Sequence, residues 1–316
     1  MRVRRLTMFA AVSAAVLTLA SAVPAEAAER GMHVYRVNHS GKAAKARRTN
    51  NLAYRGGIGG IGGIGVETSP KVYLVTWGWT SDPSGELAYA QNFFSGVGGS
   101  SWNNSVTQYC QNVASGTTNC AGISGAQYAG NPANIYGGLW QDTSTPPSQP
   151  SQSQLAAEAI AAAAHFGNTT SASNVNAQYV IATATGKNSS GFGTQYCAWH
   201  SSTSSSYGNL AYTNLPYITD AGASCGKNFV NAGAAGALDG VSIVGGHEMA
   251  ETETDPFPNG GWLDGGGAEN ADKCAWISSG QGASQNITLT TGTFAVQSLW
   301  SNAFNSRAGG CVNSYP

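Results

Sequence analysis

Residues 239–256 read Asp-Gly-Val-Ser-Ile-Val-Gly-Gly-His-Glu-Met-Ala-Glu-Thr-Glu-Thr-Asp-Pro. Asp239 suits the N-cap position of a helix, and the apolar residues that follow it favour helix formation. Proline disfavours helical backbone in the residue before it, so the helix should end at Asp255. The stretch therefore predicts one helix over residues 240–254. One histidine and four carboxylates fall within nine of its residues, although only 10% of the chain is charged.

His247 and Glu251 are four residues apart, so a helix places them on one face, one turn apart. Glu248 stands beside His247, as in H-E-x-x-H zinc proteases, where this glutamate deprotonates a metal-bound water. Carboxylate oxygen binds zinc at nearly the distance of imidazole nitrogen, so Glu251 can take the place of the second histidine. The pattern predicts a zinc site with His247 and Glu251 as ligands and Glu248 as the general base.

A catalytic zinc ion takes three protein ligands, so one more is required. His200 and Asp264 are the first candidates, followed by Glu269. Zinc prefers at least one nitrogen ligand, and His200 would supply a second. Asp264 lies in a glycine-rich loop that is suited to folding back over the helix.

The density of acids in this region leaves three other interpretations open. Residues 67–316 contain fourteen Asp and Glu residues, and seven of them lie between positions 248 and 272. Such a concentration of negative charge must be solvated or compensated. Oxygen-only ligands favour a structural calcium ion, which could be held by Asp255, Asp264, Glu269 and Asp272. Alternatively, the acids form helix caps and ordinary hydrogen bonds, and paired carboxylates would also serve glycoside hydrolysis.

Charge is unevenly distributed along the chain. Residues 30–55 carry seven Lys or Arg and no acid, whereas residues 67–316 carry five Lys or Arg and fourteen acids. A basic leader ahead of an acidic domain is expected either to dock on that domain as a propeptide or to form a disordered tail. Nucleic-acid binding is disfavoured because the folded part is acidic.

The first 28 residues have the features of a secretory signal. Arginines at positions 2, 4 and 5 precede the apolar run Met8–Leu19, and Ala25-Glu26-Ala27 fits an A-x-A cleavage site. No other stretch approaches twenty apolar residues, so we expect no stable membrane insertion. We therefore expect a secreted, extracellular protein.

The six cysteines all follow the signal, and an even number in an exported protein favours disulfides. Six cysteines allow fifteen connectivities. We predict that neighbours in sequence pair, which joins Cys110 to Cys120, Cys197 to Cys225 and Cys274 to Cys311.

The remaining sequence predicts one folded domain behind a leader. Residues 29–55 form the basic leader or propeptide, 56–66 a Gly/Ile linker, and 67–316 a single catalytic-type domain. The Gly-Gly-Ile repeat of the linker has too much glycine for the interior of a helix or strand, which favours a flexible connection.

Strands and helices alternate through the domain. Residues 72–79 and 178–184 are nearly continuous apolar runs, typical of strands buried on both faces, and residues 153–166 have a helical apolar stripe. This alternation predicts an α/β fold, a layered domain with a mixed, mostly buried sheet flanked by helices and stabilised by disulfides.

Two blocks of the sequence resemble the plant EXORDIUM or phosphate-induced protein family: residues 238–260 and the segment Tyr196-Cys197-Ala198-Trp199-His200-Ser201. Bacterial secreted proteins with a His-Glu helix, followed by Thr-Asp-Pro and Glu-Asn-x-Asp-Lys-Cys, look more similar still. The plant proteins are extracellular and linked to cell-wall growth, and they lack the His-Glu pair. The resemblance implies an extracellular location and a shared α/β fold.

Together these patterns predict a secreted zinc-dependent hydrolase, an endopeptidase that acts on extracellular proteins or peptides through a metal-bound water, with calcium as a possible structural ion. The alternative is a non-enzymatic EXORDIUM-like binding or signalling protein with a structural cation.

Overall fold

A computed structural model describes residues 33–37, 51–60 and 63–315. The expected signal sequence at 1–28 and most of the leader lie outside these residues. Helices α1 to α5 span Glu86–Val97, Gln152–His165, Ser171–Asn174, Asp239–Thr254 and Phe304–Arg307. Short 3-10 helices span Asn103–Gln108, Ile218–Cys225, Gly233–Gly236 and Asp272–Cys274. Strands β1 to β14 span His33–Arg36, Ala53–Tyr54, Lys71–Trp77, Cys110–Gln111, Gln127–Tyr128, Tyr136–Asp142, Ala177–Thr183, Tyr196–Ser205, Gly208–Leu215, Trp262–Leu263, Gln285–Leu289, Gly292–Val296, Leu299–Ser301 and Gly310–Val312.

Six strands form the main sheet, in the order β1-β8-β9-β7-β3-β6. Strand β3 runs parallel to β6 and β7, and β7 runs parallel to β9. Strand β8 is antiparallel to β9 on one side and to β1 on the other. The predicted α/β fold with a mixed sheet is confirmed.

Both faces of this sheet are buried at its central strands. Successive side chains of a strand point to opposite faces, and along β3 Leu74 joins the core that contains α1 and α4, whereas Val75 joins the core that contains α2. Ile181 of β7 lies with Ala159 of α2 on the second face. The continuous apolar runs in the sequence reflect this double coverage.

Helix α4 is buried along its whole length, since all sixteen of its residues are inaccessible or nearly so. It lies between the main sheet and the C-terminal hairpin of β11 and β12, where Ser242 donates a hydrogen bond to the carbonyl of Ala295 (2.6 Å). The prediction of a helix at this place is confirmed. Asp239 is not its N-cap, because Leu238 holds that position and the Asp239 carboxylate accepts main-chain N–H groups of Val230 and Asn231.

The end of the leader and the start of the Gly/Ile segment pack against the chain that follows α4. Tyr54 of β2 is fully buried and pairs with Trp262 of β10. The main-chain N–H groups of Arg55 and Gly57 donate to the carbonyls of Gly261 and Gly260. These contacts hold the segment in place instead of leaving a free connection, while the predicted domain boundaries stay predictions.

Three disulfides join Cys110 to Cys120, Cys197 to Cys225 and Cys274 to Cys311. The predicted pairing of sequence neighbours is confirmed. Within the described part of the chain, no helix has the length and apolar character needed to cross a membrane.

Glycines allow α4 to approach its neighbours closely, and this gives a testable difference between two of them. A Cβ at Gly240 would lie 2.0 Å from the main-chain oxygen of Cys225, whereas a Cβ at Gly245 would lie 3.3 Å from the Phe94 ring. We expect Gly240→Ala to lower the free energy of unfolding by about 1–3 kcal/mol, because main chain cannot yield. The control Gly245→Ala should change it by less than about 1 kcal/mol, since alanine also favours helix. Equal losses in denaturant unfolding would contradict this account of the packing.

Glu86, the first residue of α1, is a buried acid outside the candidate site. Its carboxylate accepts the N–H groups of Ile218 (3.0 Å) and Thr219 (2.7 Å). Burial raises the pKa of Glu86 from 4.5 to about 7, against the opposing effect of these hydrogen bonds. The folded protein therefore retains this proton at a pH where the unfolded chain has lost it.

We expect Glu86 to make the protein less stable as pH rises from 4.5 to about 7. The folded state binds the extra proton in that range, so the free energy of unfolding falls with rising pH and then levels off. In Glu86→Gln the decline should be shallower by up to about 1.4 kcal/mol per pH unit. Denaturant unfolding across this range measures both slopes, and parallel curves for the two proteins would contradict the assignment.

Candidate metal centre

An acid–histidine cluster lies beside the middle of α4 and draws side chains from three parts of the chain. We use this name for His247, Glu248 and Glu251 of α4, His200 of β8, and Glu269 and Asp272 of the segment after β10. The first five are 0% exposed. The acids on this part of α4 therefore do not form an ordinary solvent-exposed helix surface.

Glu251 lies between the two histidines. Its Oε1 is 3.0 Å from His247 Nε2, and its Oε2 is 3.6 Å from His200 Nδ1. The N–H of Asp272 also donates to Glu251 Oε1 (2.9 Å). Each carboxylate oxygen of Glu251 thus faces a different imidazole. The contact with His247 is the one that the helical spacing of residues 247 and 251 predicted.

His200 lies between two further acids. Its Nδ1 is 3.3 Å from Glu248 Oε2, and its Nε2 is 3.6 Å from Glu269 Oε1. The other oxygen of Glu248, Oε1, is buried without a hydrogen-bond partner among the described residues. A buried carboxylate oxygen in that condition needs a proton, a water molecule or a cation.

Two groups of three ligands in the cluster could hold a metal ion. One consists of His200, Glu251 and Glu269, and the other of His247, Glu248 and Glu251, with ligand atoms within 4.8 Å of one another in each. Each group contributes one histidine, and Glu251 belongs to both. Two ligands on one zinc ion, with bonds of about 2 Å, come within about 4 Å of each other, which the closest pairs here satisfy.

Electrostatics favours a cation at this place. Burial, reinforced by the charge of Glu251, raises the pKa values of Glu248 and Glu269 well above their ordinary range, and the same causes raise that of Asp272 to about 7. Burial acts to lower the pKa of His247, but the charges of Glu251 and Asp272 and the hydrogen bonds with Glu251 and Gln297 together raise it above its ordinary value. Carboxylates this close cannot all ionise unless positive charge compensates them.

Gln297 fixes the orientation of His247 and was not predicted from the sequence. Its amide nitrogen donates to the carbonyls of Ala271 (2.8 Å) and Ser298 (3.2 Å), so its Oε1 is left as the acceptor that lies 3.1 Å from His247 Nδ1. His247 therefore carries a proton on Nδ1. Nε2 faces Glu251 at 3.0 Å and is the nitrogen left to bind a metal ion when it carries no proton.

Asp264 is not brought into the cluster. Its carboxylate binds Lys273 Nζ at 2.8 Å and accepts the N–H groups of Gly266 and Ala268. Burial acts to raise the pKa of Asp264, but Lys273 and these hydrogen bonds lower it below its ordinary value. A charge already neutralised in this way is poorly placed to bind a further cation.

The oxygen ligands considered for calcium do not converge either. Asp255 accepts the N–H groups of Asn259, Gly260 and Gly261 and closes the turn after α4. Of the four acids in that set, the structure places only Glu269 and Asp272 in the cluster, where Asp272 Oδ1 lies 3.8 Å from His247 Nε2.

A G-x-S-x-G sequence occurs at residues 222–226, outside the cluster. In serine hydrolases this motif exposes the nucleophile between a strand and a helix. Here Ser224 lies in a 3-10 helix, its hydroxyl donates to the carbonyls of Ala221 and Gly193, and Cys225 is in a disulfide. The local structure is thus unlike a nucleophile elbow.

Comparisons with protein-family models, curated proteins and solved structures gave no match. The resemblance to the EXORDIUM family stays an expectation from the sequence. Function is therefore inferred from the chemistry of the acid–histidine cluster.

The hydrogen bond from His247 to Gln297 should raise the metal affinity of the cluster. We expect Gln297→Met to weaken binding of a divalent metal by about 10–100-fold, because it releases the tautomer and orientation of His247. Gln178→Met is the matched control, since Gln178 is equally buried but binds Glu67 and the carbonyl of Met249. Competition with a metal-sensitive dye measures both affinities. Similar losses in the two variants would show that Gln297 acts only through general stability.

Proposed function

We propose that this protein is a secreted zinc-dependent endopeptidase. The supporting observation is Glu251, with one carboxylate oxygen toward His200 and the other toward His247 in a fully buried site. In this proposal Glu251 holds the ion together with a histidine of the cluster, since each group of possible ligands contains one histidine. An imidazole ligand favours zinc over calcium, which takes oxygen ligands.

Glu248 is the general base of the proposed reaction. A zinc ion supplies Lewis acidity and lowers the pKa of water. Glu248 accepts a proton from the attacking water, whose oxygen bonds to the carbonyl carbon of the peptide. The C–N bond then breaks, and Glu248 returns the proton to the departing amine. Burial and the charge of Glu251 raise the pKa of Glu248 above its ordinary value, the direction in which enzymes shift a glutamate that accepts and returns a proton.

Three disulfides and the predicted signal sequence support an extracellular protein, because disulfides persist in oxidising compartments. Extracellular proteins or peptides are then the substrates. No membrane or nucleic-acid partner is part of the proposal.

The complete burial of the histidines and glutamates of the cluster favours one alternative, a non-enzymatic extracellular protein with a structural cation. Structural zinc sites are closed, whereas catalytic sites keep one position open to water and substrate. Metal content alone does not distinguish an endopeptidase from a protein with a structural cation. Measurement of hydrolysis by matched variants distinguishes them.

We expect the purified protein to contain zinc and, once the chain has been cut between residues 38 and 50 to release β1, to hydrolyse casein. Glu251→Gln should lose the zinc, because it removes the ligand shared by both candidate groups. Asp264→Asn is the control that should keep it, since Asp264 binds Lys273. Glu248→Gln should keep zinc and lose at least about 100-fold in hydrolysis, the effect of removing a general base. Elemental mass spectrometry and casein hydrolysis provide the two readouts.

Other results would decide against this function. Bound calcium without zinc would exclude the proposed chemistry. Loss of zinc in Glu248→Gln would make Glu248 a ligand and not the base. A protein that binds zinc but does not hydrolyse casein, either as the full chain or after β1 has been released by cutting, would establish the structural-cation alternative.

A further inference from the structure

Strand β1 covers the acid–histidine cluster. It pairs antiparallel with the outer edge of β8, the strand that carries His200, with Tyr35 opposite Ala198. The Tyr35 ring stacks on the His247 ring, with centroids 3.8 Å apart and planes 24° from parallel. Tyr35 is 0% exposed. A side chain of the leader thus lies directly on a histidine of the candidate metal centre.

Trp276 forms the other wall of the slot that holds Tyr35. Its ring stacks on Tyr35 at 4.9 Å, nearly parallel, and packs edge-on against Phe229. Its backbone has φ 58°, a left-handed conformation that bulky residues rarely adopt because it is strained. The surrounding structure holds this indole in place, so the slot between Trp276 and His247 is a built feature of the domain.

Main-chain hydrogen bonds also hold β1 and the residue that follows it. The indole N–H of Trp276 donates to the carbonyl of Arg36 (2.8 Å), and the N–H of Val37 donates to the carbonyl of Gln195 (3.3 Å). The Arg36 side chain itself is exposed. Any extended peptide can pair with a sheet edge through its main chain. The slot between Trp276 and His247 adds specificity, because it accepts one side chain of that peptide.

The tip of Tyr35 reaches the acids of the cluster. Its hydroxyl is buried and has no hydrogen-bond partner among the described residues. Burial raises the pKa of Tyr35, and the charges of Glu248, Glu251 and Asp272 raise it further. The leader therefore excludes water from the place where the proposed reaction needs it.

We propose that β1 occupies the substrate position, so that an extended peptide with an aromatic side chain replaces it on the edge of β8 and places its ring between His247 and Trp276. This inference rests on the proposed hydrolase, for which it names the substrate class and the inhibitory segment. The leader keeps the site closed until it is displaced or cut away. A tethered segment competes at an effective concentration on the order of millimolar, so a free peptide is excluded while β1 is attached.

The test uses the full zinc-loaded chain and a fluorescent peptide with the sequence His-Val-Tyr-Arg-Val, that of residues 33–37. Binding by fluorescence anisotropy should be about tenfold tighter or more for Tyr35→Ala than for the native chain, because the slot is vacated. Casein hydrolysis should increase in the same variant. The control Tyr128→Ala, which removes an exposed tyrosine from β5, should match the native chain in both.

A second form of the protein tests the same proposal even if Tyr35→Ala does not fold correctly. A recognition sequence for a specific protease is inserted between residues 38 and 50 and is cut after the native chain has folded. The cut chain should bind the peptide and hydrolyse casein as Tyr35→Ala does, and a peptide with alanine in place of tyrosine should bind about tenfold more weakly or worse.

Failure of the two proposals is distinguishable. Peptide binding that is unchanged after cutting, or that ignores the aromatic side chain, overturns the assignment of the β8 edge even if hydrolysis is observed. Tight, tyrosine-dependent binding without hydrolysis supports the docking site and removes only the enzymatic function.

Discussion

Burial of ionisable groups along α4 is the constraint on which the rest of the structure depends. Removing carboxylates from water costs several kcal/mol each unless they are neutralised or well hydrogen-bonded. In this chain Glu248, Glu251 and Glu269 are completely buried together with two histidines. The contacts of the surrounding fold offset part of this cost and orient the buried acids and histidines toward one another.

Two kinds of neighbour meet that constraint. Acids outside the cluster have partners of their own, as when Asp264 binds Lys273 and Asp255 accepts three main-chain N–H groups. Groups inside it are oriented but not neutralised: Gln297 holds one nitrogen of His247, and the N–H of Asp272 holds one oxygen of Glu251. Asp264 and Asp255 thus stabilise the loop after α4, whereas the acids of the cluster point toward one another. The close approach of the cluster acids is what favours a cation.

The edge of the main sheet connects the cluster to the leader. An unpaired strand edge is a template for another extended chain, and proteins usually cover it. Here β1 covers the β8 edge, and the same segment brings Tyr35 onto His247. Protection of a sheet edge and closure of the site are therefore achieved by one short piece of chain, and both would be lost together on its removal.

The sequence by itself determined the features that depend on neighbouring residues. The extent of α4 follows from its apolar start and from Pro256, the double-sided burial of β3 and β7 follows from continuous apolar runs, and the spacing of His247 and Glu251 follows from the helical turn. The pairing of cysteines that are close in sequence was also accessible. These are short-range effects, so local pattern suffices.

Only the tertiary structure decided which distant side chains join the cluster. Asp264 and Glu269 are both acids in one loop, and the position of Lys273 separates their roles. Gln297 lies 50 residues from His247, and Trp276 bonds to Arg36 across 240 residues. The Gly/Ile segment is composed like a free linker, yet the residues just before it pair with residues 261–263 and its Gly57 donates to the carbonyl of Gly260. No local pattern encodes such contacts, because they arise from how the sheet, α4 and the C-terminal segments pack around one another.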